Sequence, residues 1–271
     1  MSGYQDSNLG PPAPKAGALT GLRYIPKCFY NNPFCLFCSR GSGIRTHDPL
    51  LPKRRDNKGY SATYLNFEER GVGLNRNNTL MRATGDICLF ADDDMVYVEN
   101  YPELIEKAFL DYPDADIIAF NLVEKIPTRY IIKKAKRIRF YNFLTYGTAR
   151  IAVRLSKVRE NGISFNLCFG GGTEHCHGED NIFIADCLKR GLKMYAVPVS
   201  IANLTEERES TWNSGYNREY FFDQGVLYKT ISKKLWRLLC LQDAVRHAKK
   251  EYKTSWKNAY TLMIKGGKGL K

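Results

Sequence analysis

The stretch Gly85–Asp94 reads GDICLFADDD, and it decides the fold. Five of the six residues from Asp86 to Ala91 suit a buried strand, and Gly85 provides the turn into it. Three carboxylates at the end of a strand repel one another unless a cation lies among them. Carboxylate oxygens are ligands that Mg²⁺ and Mn²⁺ prefer, and a substrate phosphate commonly completes the shell. We therefore expect a divalent cation at this strand end, with a solvated acidic turn as the alternative.

The chain after residue 60 alternates between helical and strand patterns, which is typical of a layered α/β fold. Residues 125–159 mix basic and aromatic side chains, and we expect one or two partly exposed helices there. The remaining predicted elements are helices near 73–83, 102–111 and 181–190, strands at 86–91, 116–121 and 193–199, and helices within 232–271.

The composition limits the classes of protein to which this chain can belong. A chain of 271 residues with 44% hydrophobic residues can bury a sizeable core. No apolar run approaches the roughly 18 to 20 residues of a membrane-spanning helix, and the start does not resemble a signal peptide. The eight cysteines are scattered, several of them within apolar runs, which is typical of thiols in a reducing compartment. We therefore expect a cytoplasmic protein.

The net charge of +13 is unevenly distributed along the chain. Residues 125–159 carry eleven Lys and Arg and no acid, and residues 229–271 carry twelve against two acids. Basic blocks therefore flank the acidic blocks that hold the carboxylate motifs. Such a pattern suits a phosphorylated substrate or an anionic lipid surface. Nucleic acid is the competing partner, but no recognisable nucleic-acid module accompanies the charge, so none is expected.

Residues 1–59 differ in character from the rest of the chain. They show no helical or strand period and contain a Gly- and Pro-rich stretch, so they are predicted to be disordered. Two stretches, 3–19 and 43–53, resemble peptides that recur when structural-RNA genes are translated conceptually by mistake. We expect residues 1–59 to be a disordered or spurious segment joined to a real domain.

A second group of motifs lies some 85 residues after the acidic strand end. The Gly-rich loop Phe169–Thr173 leads to Gly178-Glu179-Asp180 at the start of a helix. Acidic residues at this position either cap the helix or take part in chemistry. The intervening triplet His175-Cys176-His177 is interpreted as loop residues near an acceptor, because three adjacent residues cannot easily all face one metal ion.

The order and spacing of these motifs resemble one family. Leu74–Asp94, which reads LNRNNTLMRATGDICLFADDD, resembles the middle of a family-2 glycosyltransferase domain. Glu179-Asp180 resembles the later acidic pair of that family. The segment from Ser210 to Asn217 resembles one found in bacterial members that build surface polysaccharides. The resemblance covers roughly residues 64–250.

The resemblance implies a GT-A (Rossmann-like) fold that uses a nucleotide-diphosphate sugar and inverts the anomeric carbon. Mg²⁺ or Mn²⁺ would offset the charge on the leaving diphosphate, and a carboxylate would accept the proton of the acceptor hydroxyl. The family domain begins with a strand, a helix and a second strand that have no match in residues 1–63. The fold is therefore expected to be amino-terminally truncated, and the activity of this chain is in doubt.

The resemblance also assigns roles to individual residues. Asp94 and Asp92 are the implied metal ligands, and Asp180 is the implied general base with Glu179 beside it. Arg76 and Asn77 either face the nucleotide or only cap and solvate their helix, and Trp212 either stacks on a sugar or packs in the core. The complete set of candidate residues is Asp180 and Glu179 for catalysis, Asp92, Asp93, Arg76 and Asn77 for the donor, Asp94 and Asp92 for the metal, and Gly171, Gly172 and Trp212 on the acceptor side.

Two functions of different class follow from the sequence. The first is a glycosyltransferase, with an incomplete catalytic domain at 60–231 and a basic amphipathic helical tail at 232–271. Its acceptor would be a glycan or a lipid-linked glycan, and the tail would rest on the inner face of the plasma membrane or on the domain's own core. The alternative is a non-catalytic basic protein that binds nucleic acid or an anionic membrane through residues 125–159.

Overall fold

The computed structural model describes residues 23–27, 34–39, 61–65, 71–92, 95–124, 129–204, 215–249 and 251–269. The strands are β1 (Arg23–Lys27), β2 (Phe34–Ser39), β3 (Ser61–Leu65), β4 (Ile87–Asp92), β5 (Met95–Tyr97), β6 (Ile117–Val123), β7 (Lys136–Ile138), β8 (Ile151–Arg154) and β9 (Met194–Leu204). The helices are α1 (Val72–Arg82), α2 (Tyr101–Asp111), α3 (Leu155–Glu160), α4 (Glu179–Lys189), α5 (Arg218–Ile231), α6 (Trp236–His247) and α7 (Trp256–Gly269).

A mixed seven-stranded sheet forms the centre of the protein. Its order is β2-β4-β8-β6-β9-β5, with β7 paired to β9 beside this path. The pairs β2–β4 and β6–β9 are parallel, whereas β8 runs antiparallel to both β4 and β6. Strands β1 and β3 form a separate antiparallel pair. Asp92 lies at the carboxyl end of β4, the edge at which α/β sheets commonly bind ligands.

The two faces of the sheet bury two separate cores. Successive side chains of a strand point to opposite faces, and Phe90 lies in the larger core while Leu89 lies in the smaller one. The larger core packs against α1, α3, α4 and α5, and the smaller core packs against α2. The result is the α/β layer fold that the sequence predicts.

Most predicted elements are confirmed after residue 71, but residues 125–159 are not. The expected helices are largely replaced by β7 and β8, and α3 occupies only the end of the block. The apolar core of β8 is only Ile151-Ala152-Val153, and the arginines on either side obscure it. Arg150 Nε donates to Phe120 O at 2.7 Å and Arg154 Nε donates to Ala115 O at 2.8 Å. Tertiary hydrogen bonds therefore accommodate charges that argued against a central strand.

The prediction for residues 1–59 needs a correction at two places. Strands β1 and β2 fall within this segment, and β2 pairs in register with β4 from Phe34–Ile87 to Ser39–Asp92. The run FCLFC in β2 is continuously apolar, which suits a parallel strand although it lacks alternation. The rest of 1–59 lies outside the described residues, so its predicted disorder and the predicted domain boundaries stay predictions.

The carboxyl-terminal segment is helical, as predicted. Helix α7 packs closely on α5, because a Cβ on Gly225 would overlap the carbonyl group of Met263 and one on Gly266 would overlap that of Phe222. These glycines allow the two helix backbones to touch. Within the described part of the chain, no helix combines the length and hydropathy needed to cross a membrane.

We expect Gly225→Ala to destabilise the protein, although alanine is the better helix former by about 1 kcal/mol. The new methyl group would have to displace the Met263 backbone, and overpacking typically costs about 1 to 3 kcal/mol. Urea denaturation measures the loss. Gly269→Ala is the control, since its methyl group would meet only the end of the Phe222 ring. Equal stability of the two variants would contradict the close contact.

Candidate active site

A buried arginine contacts three of the acidic residues that the sequence singles out. Arg76 on α1 donates from Nη1 to Asp180 Oδ1 at 2.6 Å and to Glu179 Oε1 at 3.2 Å. Its Nη2 lies 3.4 Å from Asp92 Oδ1. Burial alone would lower the pKa of Arg76, but Asp180, Asp92 and Glu179 raise it well above its usual range. The end of β4 and the start of α4 therefore meet at one guanidinium.

Asp180 is fixed from a second side by Thr148, which lies in a short 3-10 turn at Thr148–Arg150. The hydroxyl of Thr148 donates to Asp180 Oδ1 at 2.5 Å, and its backbone N–H donates to Oδ2 at 3.0 Å. A carboxylate that served only as a cap would bond the amides of its own helix. Asp180 bonds groups from other elements, and of its roughly four lone-pair positions about one, on Oδ2, is left for a further donor.

Glu179 is the more buried member of the pair. Burial raises the pKa of Glu179 to about 7, and the neighbouring Asp180 adds to this, while Arg76 opposes it. Gly170 makes room for the carboxyl group: it has φ +101°, and a Cβ there would lie 2.8 Å from the Glu179 carboxyl. The Gly-rich loop therefore packs directly against the acidic pair.

The position of Arg76 depends on contacts along α1. The guanidinium lies 5.2 Å from the ring centroid of Phe165, and Asn77 donates to Phe165 O and accepts from Phe165 N, at 2.9 and 2.7 Å. At the end of α1, Arg159 Nη2 donates to the carbonyls of Leu80 and Ala83. Cationic side chains at this position satisfy the last carbonyls of a helix.

The structure locates some of the candidate residues and not others. Arg76, Asp92, Glu179 and Asp180 are brought together, and Val72 N of α1 donates to Gly171 O at 3.1 Å. Gly172 follows in the same loop with φ +83°.

Asn77 uses its amide on Phe165, and the nucleotide role predicted for it stays a prediction. Asp93, Asp94 and Trp212 lie outside the described residues, so their predicted roles also stay predictions.

Sequence reasoning missed Thr148 and Phe165. Thr148 lies in the basic block, where no motif marks it, and only the antiparallel position of β8 carries it to Asp180. Phe165 reads as an ordinary core residue, and it also stacks on Phe183 at 4.2 Å. No local signal in the sequence would identify either residue.

We expect Glu179→Gln to change how stability depends on pH. The native pKa of about 7 lies above the ordinary 4.5, so the stabilisation from Glu179 is fully present below pH 4.5 and is lost as pH rises through 7. Glutamine cannot ionise. The variant should match the wild type below pH 4.5 and exceed its stability above pH 7, by up to roughly 3 kcal/mol.

Urea denaturation across this pH range measures the difference. Glu160→Gln is the matched control, because Glu160 is exposed and pairs with Lys157 at 3.0 Å on the surface. Parallel pH profiles for wild type and Glu179→Gln would contradict the burial of an ionisable carboxyl group.

Comparisons with known proteins find a matching family model and solved structures of similar fold. The family model for Glycosyl transferase family 2 matches residues 36–169. The crystal structure of S. aureus TarS 1-349 in complex with UDP-GlcNAc superimposes with a TM-score of 0.50 at 16% identity, covering 73% of this chain and 58% of that chain. The complex of TarS 1-349 with UDP gives a TM-score of 0.48 at 16% identity, covering 73% and 56%. No curated protein matches the chain.

The family match corrects the expected start of the resemblance. It begins at Leu36 in β2, not near residue 64, because β2 supplies an apolar strand beside β4. The match ends at Phe169, before the later pair Glu179-Asp180. Arg76 links this pair to Asp92, which lies within the matched range. The chain spans 58% of the TarS chain with which it superimposes. Residues 36–169 therefore match the model of a family-2 glycosyltransferase domain, and the described part of the chain has the GT-A fold.

Proposed function

We propose that this chain is a glycosyltransferase that moves a sugar from a nucleotide-diphosphate sugar to a hydroxyl group, with inversion of the anomeric carbon. The observation that carries the proposal is the convergence of Asp92, Glu179 and Asp180 on Arg76. A strand-end acid and an acidic pair at a helix start, over 80 residues apart in sequence, share one guanidinium. Structural packing alone does not require this concentration of carboxylates around one buried cation.

The donor class follows from the fold and its site. TarS was crystallised with UDP-GlcNAc, and a likeness of fold supports a donor of the same chemical class here. Asp92 ends β4 where the carboxyl ends of β2 and β4 lie side by side, and the Asp92–Ser39 pair closes their register. Nucleotides commonly bind at such an edge. We therefore propose a uridine-diphosphate sugar as the first donor to test, with Asp92, Asp93, Arg76 and Asn77 on the donor side.

The side chains at this edge fit a divalent cation. Asp92 supplies hard carboxylate oxygens, and its side chain is 40% exposed, so an ion could reach it. Asp94 and Asp92 would hold Mg²⁺ or Mn²⁺, which supplies positive charge that stabilises the leaving diphosphate.

Asp180 is the proposed general base. In the transfer step the acceptor oxygen bonds the anomeric carbon as the bond to the diphosphate breaks, and the hydroxyl proton passes to Asp180. Oδ2 has room for this proton, because among the described residues it accepts the Thr148 N–H alone, whereas Oδ1 accepts from both Arg76 and Thr148. Arg76 and Thr148 are positioning residues that aim the carboxylate. Gly171, Gly172 and Trp212 are proposed for the acceptor side, where a glycan or lipid-linked glycan would bind.

We expect Asp180→Asn to lower UDP release from UDP-GlcNAc by about 100-fold or more in the presence of Mn²⁺ and a glycan acceptor, since general-base catalysis contributes about 10² to 10⁴. Donor affinity measured by calorimetry should change little. Asp92→Asn should instead weaken donor binding, because its position is on the donor side.

Asp186→Asn is the matched control, because Asp186 lies on the same helix and pairs with Lys189 at 3.0 Å. Two outcomes would overturn the proposal. One is wild-type UDP release by Asp180→Asn, and the other is an absence of binding to any uridine-diphosphate sugar by the wild-type chain.

The alternative of a nucleic-acid-binding protein is less well supported. This alternative depends on the basic block 125–159, but several arginines of that block make hydrogen bonds within the protein. Arg150 is buried and bonds Phe120 O, Arg154 bonds Ala115 O, and Arg159 bonds the end of α1. These guanidinium groups use donors on backbone carbonyls of the protein itself, which leaves fewer of them for a partner's phosphates.

Helix α6 supports a peripheral position at the inner face of the plasma membrane. Its buried side holds Trp236 and Cys240, while Leu235, Leu238, Leu241 and Val245 form a stripe on the exposed side. Leu238 is 60% exposed and Val245 is 58% exposed. Lys234, Arg237 and Arg246 are exposed near this stripe. A basic amphipathic helix of this kind gains about 1 kcal/mol per Lys or Arg at an anionic surface. A lipid-linked acceptor would bring the enzyme to that surface.

We expect the wild-type chain to co-sediment with phosphatidylglycerol vesicles at low salt and to be released as salt rises. The double variant Leu238→Ser/Val245→Ser should bind about tenfold more weakly, because it loses apolar contact with the bilayer. Leu110→Ser is the control, since Leu110 is 73% exposed on α2. An absence of wild-type binding, or equal loss in the control, would contradict the membrane-facing role of α6.

A further inference from the structure

A second group of metal-binding side chains lies beside the acidic pair. Cys176 and His177 belong to the loop before α4, and Asp223 belongs to α5. One ligand atom from each of the three lies within 4.8 Å of the others. The sequence argued against a metal here because adjacent residues cannot easily all face one ion. The structure removes that objection, because Asp223 from a distant helix supplies the third ligand atom.

We propose that Cys176, His177 and Asp223 form a binding site for a transition-metal ion of the zinc class. Their donor atoms are one sulfur, one nitrogen and one oxygen, a set that suits Zn²⁺ and not Mg²⁺. This site is separate from the oxygen-rich cation site proposed at Asp92 and Asp94, and it does not depend on the proposed transferase activity.

The two distances from the Cys176 sulfur are close to those of tetrahedral coordination. Cys176 Sγ lies 3.8 Å from Asp223 Oδ2 and 3.9 Å from His177 Nδ1. Zinc bonds of about 2.3 Å to sulfur and about 2.0 to 2.1 Å to nitrogen or oxygen place neighbouring ligand atoms about 3.5 Å apart. The two separations from Cys176 Sγ are therefore within a few tenths of an ångström of coordination, and the ligand atoms of His177 and Asp223 lie within 4.8 Å of each other. Cys176 is exposed, so the remaining position is open to water.

Neighbouring hydrogen bonds prepare His177 to act as a ligand. Gln224 Nε2 donates to Tyr228 OH at 2.7 Å, which leaves Gln224 Oε1 to accept from His177 Nε2 at 2.8 Å. His177 therefore carries its proton on Nε2, and the lone pair of Nδ1 faces Cys176. The ring is further held by stacking on Tyr220 at 4.9 Å. Metal-binding histidines commonly donate their second N–H in this way.

Asp223 is oriented in the same manner. Its Oδ1 lies 3.0 Å from His175 Nδ1, and its Oδ2 faces Cys176. His175 is itself held against the ring of Phe169 at 4.7 Å. One carboxylate oxygen is thus fixed by a histidine while the other is available to an ion. The competing interpretation is a simple hydrogen bond from the Cys176 thiol to Asp223, with a proton where the ion would be.

A bound ion would tie α5 to the loop that carries the catalytic pair. His177 is separated from Glu179 by Gly178 alone, which has φ +103° and lies so close to Leu227 of α5 that a Cβ would clash. The proposed role is therefore structural: the ion would fix the amino-terminal end of α4. Binding would convert the Cys176 thiol to a thiolate, with release of its proton to solvent.

A Co²⁺ titration of the full chain, free of affinity tag and kept reduced by a phosphine, tests the proposal. The wild type should develop a thiolate-to-cobalt charge-transfer band in the near ultraviolet, together with the intense visible bands of tetrahedral cobalt. A single equivalent of Zn²⁺ should abolish both, and excess Mg²⁺ should not. Calorimetry in buffers of different ionisation enthalpy should detect the released proton.

Cys176→Ser should lose the charge-transfer band, and Asp223→Asn should bind Zn²⁺ at least about tenfold more weakly. Cys168→Ser is the matched control, because Cys168 is an exposed cysteine of the preceding loop outside the cluster. Circular dichroism in the presence of chelator checks that each variant folds. The absence of the band in the wild type would overturn the proposal even if a variant failed to fold, as would its persistence in Cys176→Ser.

Discussion

The arrangement of the candidate site depends on one interaction, the contact of the Arg76 guanidinium with Asp92, Glu179 and Asp180. A guanidinium carries one positive charge, whereas the three carboxylates can carry three negative charges. Part of the imbalance is relieved by Glu179, whose pKa is raised to about 7 chiefly by burial. A buried ion pair is costly to break, because each partner left alone keeps its desolvation penalty. The end of β4 and the start of α4 are therefore coupled through Arg76.

Arg76 in turn depends on contacts that hold α1 at both ends. Val72 N donates to Gly171 O at the amino end, and Arg159 donates to Leu80 O and Ala83 O at the carboxyl end. The amide of Asn77 fixes the backbone of Phe165, whose ring lies beside the guanidinium. None of these groups needs to touch a substrate. Contacts of Arg159 and Asn77 nevertheless bear on the site, because they hold α1, which carries the Arg76 that the three carboxylates share.

The sequence predicted those parts of the site whose residues have a local pattern. An apolar run that ends in acids predicts the position of Asp92, and a Gly-Glu-Asp helix start predicts that of Asp180. Thr148 was missed because its position depends on β8, a strand whose three apolar residues lie between two arginines. Those arginines bond the carbonyls of Phe120 and Ala115, which lie about 30 and 39 residues away. Long-range partners of this kind leave no periodicity in the sequence, so local reasoning could not find them.

The carboxyl-terminal helices support the candidate site by packing against the residue that precedes Glu179, although they contribute none of the acidic side chains that contact Arg76. Glycines at 225 and 266 let α7 touch α5, and Leu227 of α5 packs against Gly178, the residue before Glu179. His177 Nε2 and Gln224 Oε1 of α5, 2.8 Å apart, form a second contact between the loop before α4 and α5. A displacement of α5 would thus reach Glu179 and Asp180 through the backbone of Gly178, which Leu227 contacts directly. The outward leucines of α6 leave this contact undisturbed, because the face of α6 that holds Trp236 and Cys240 packs inward. The carboxyl-terminal segment can therefore support the candidate active site on its inner side and expose a basic, apolar surface on its outer side.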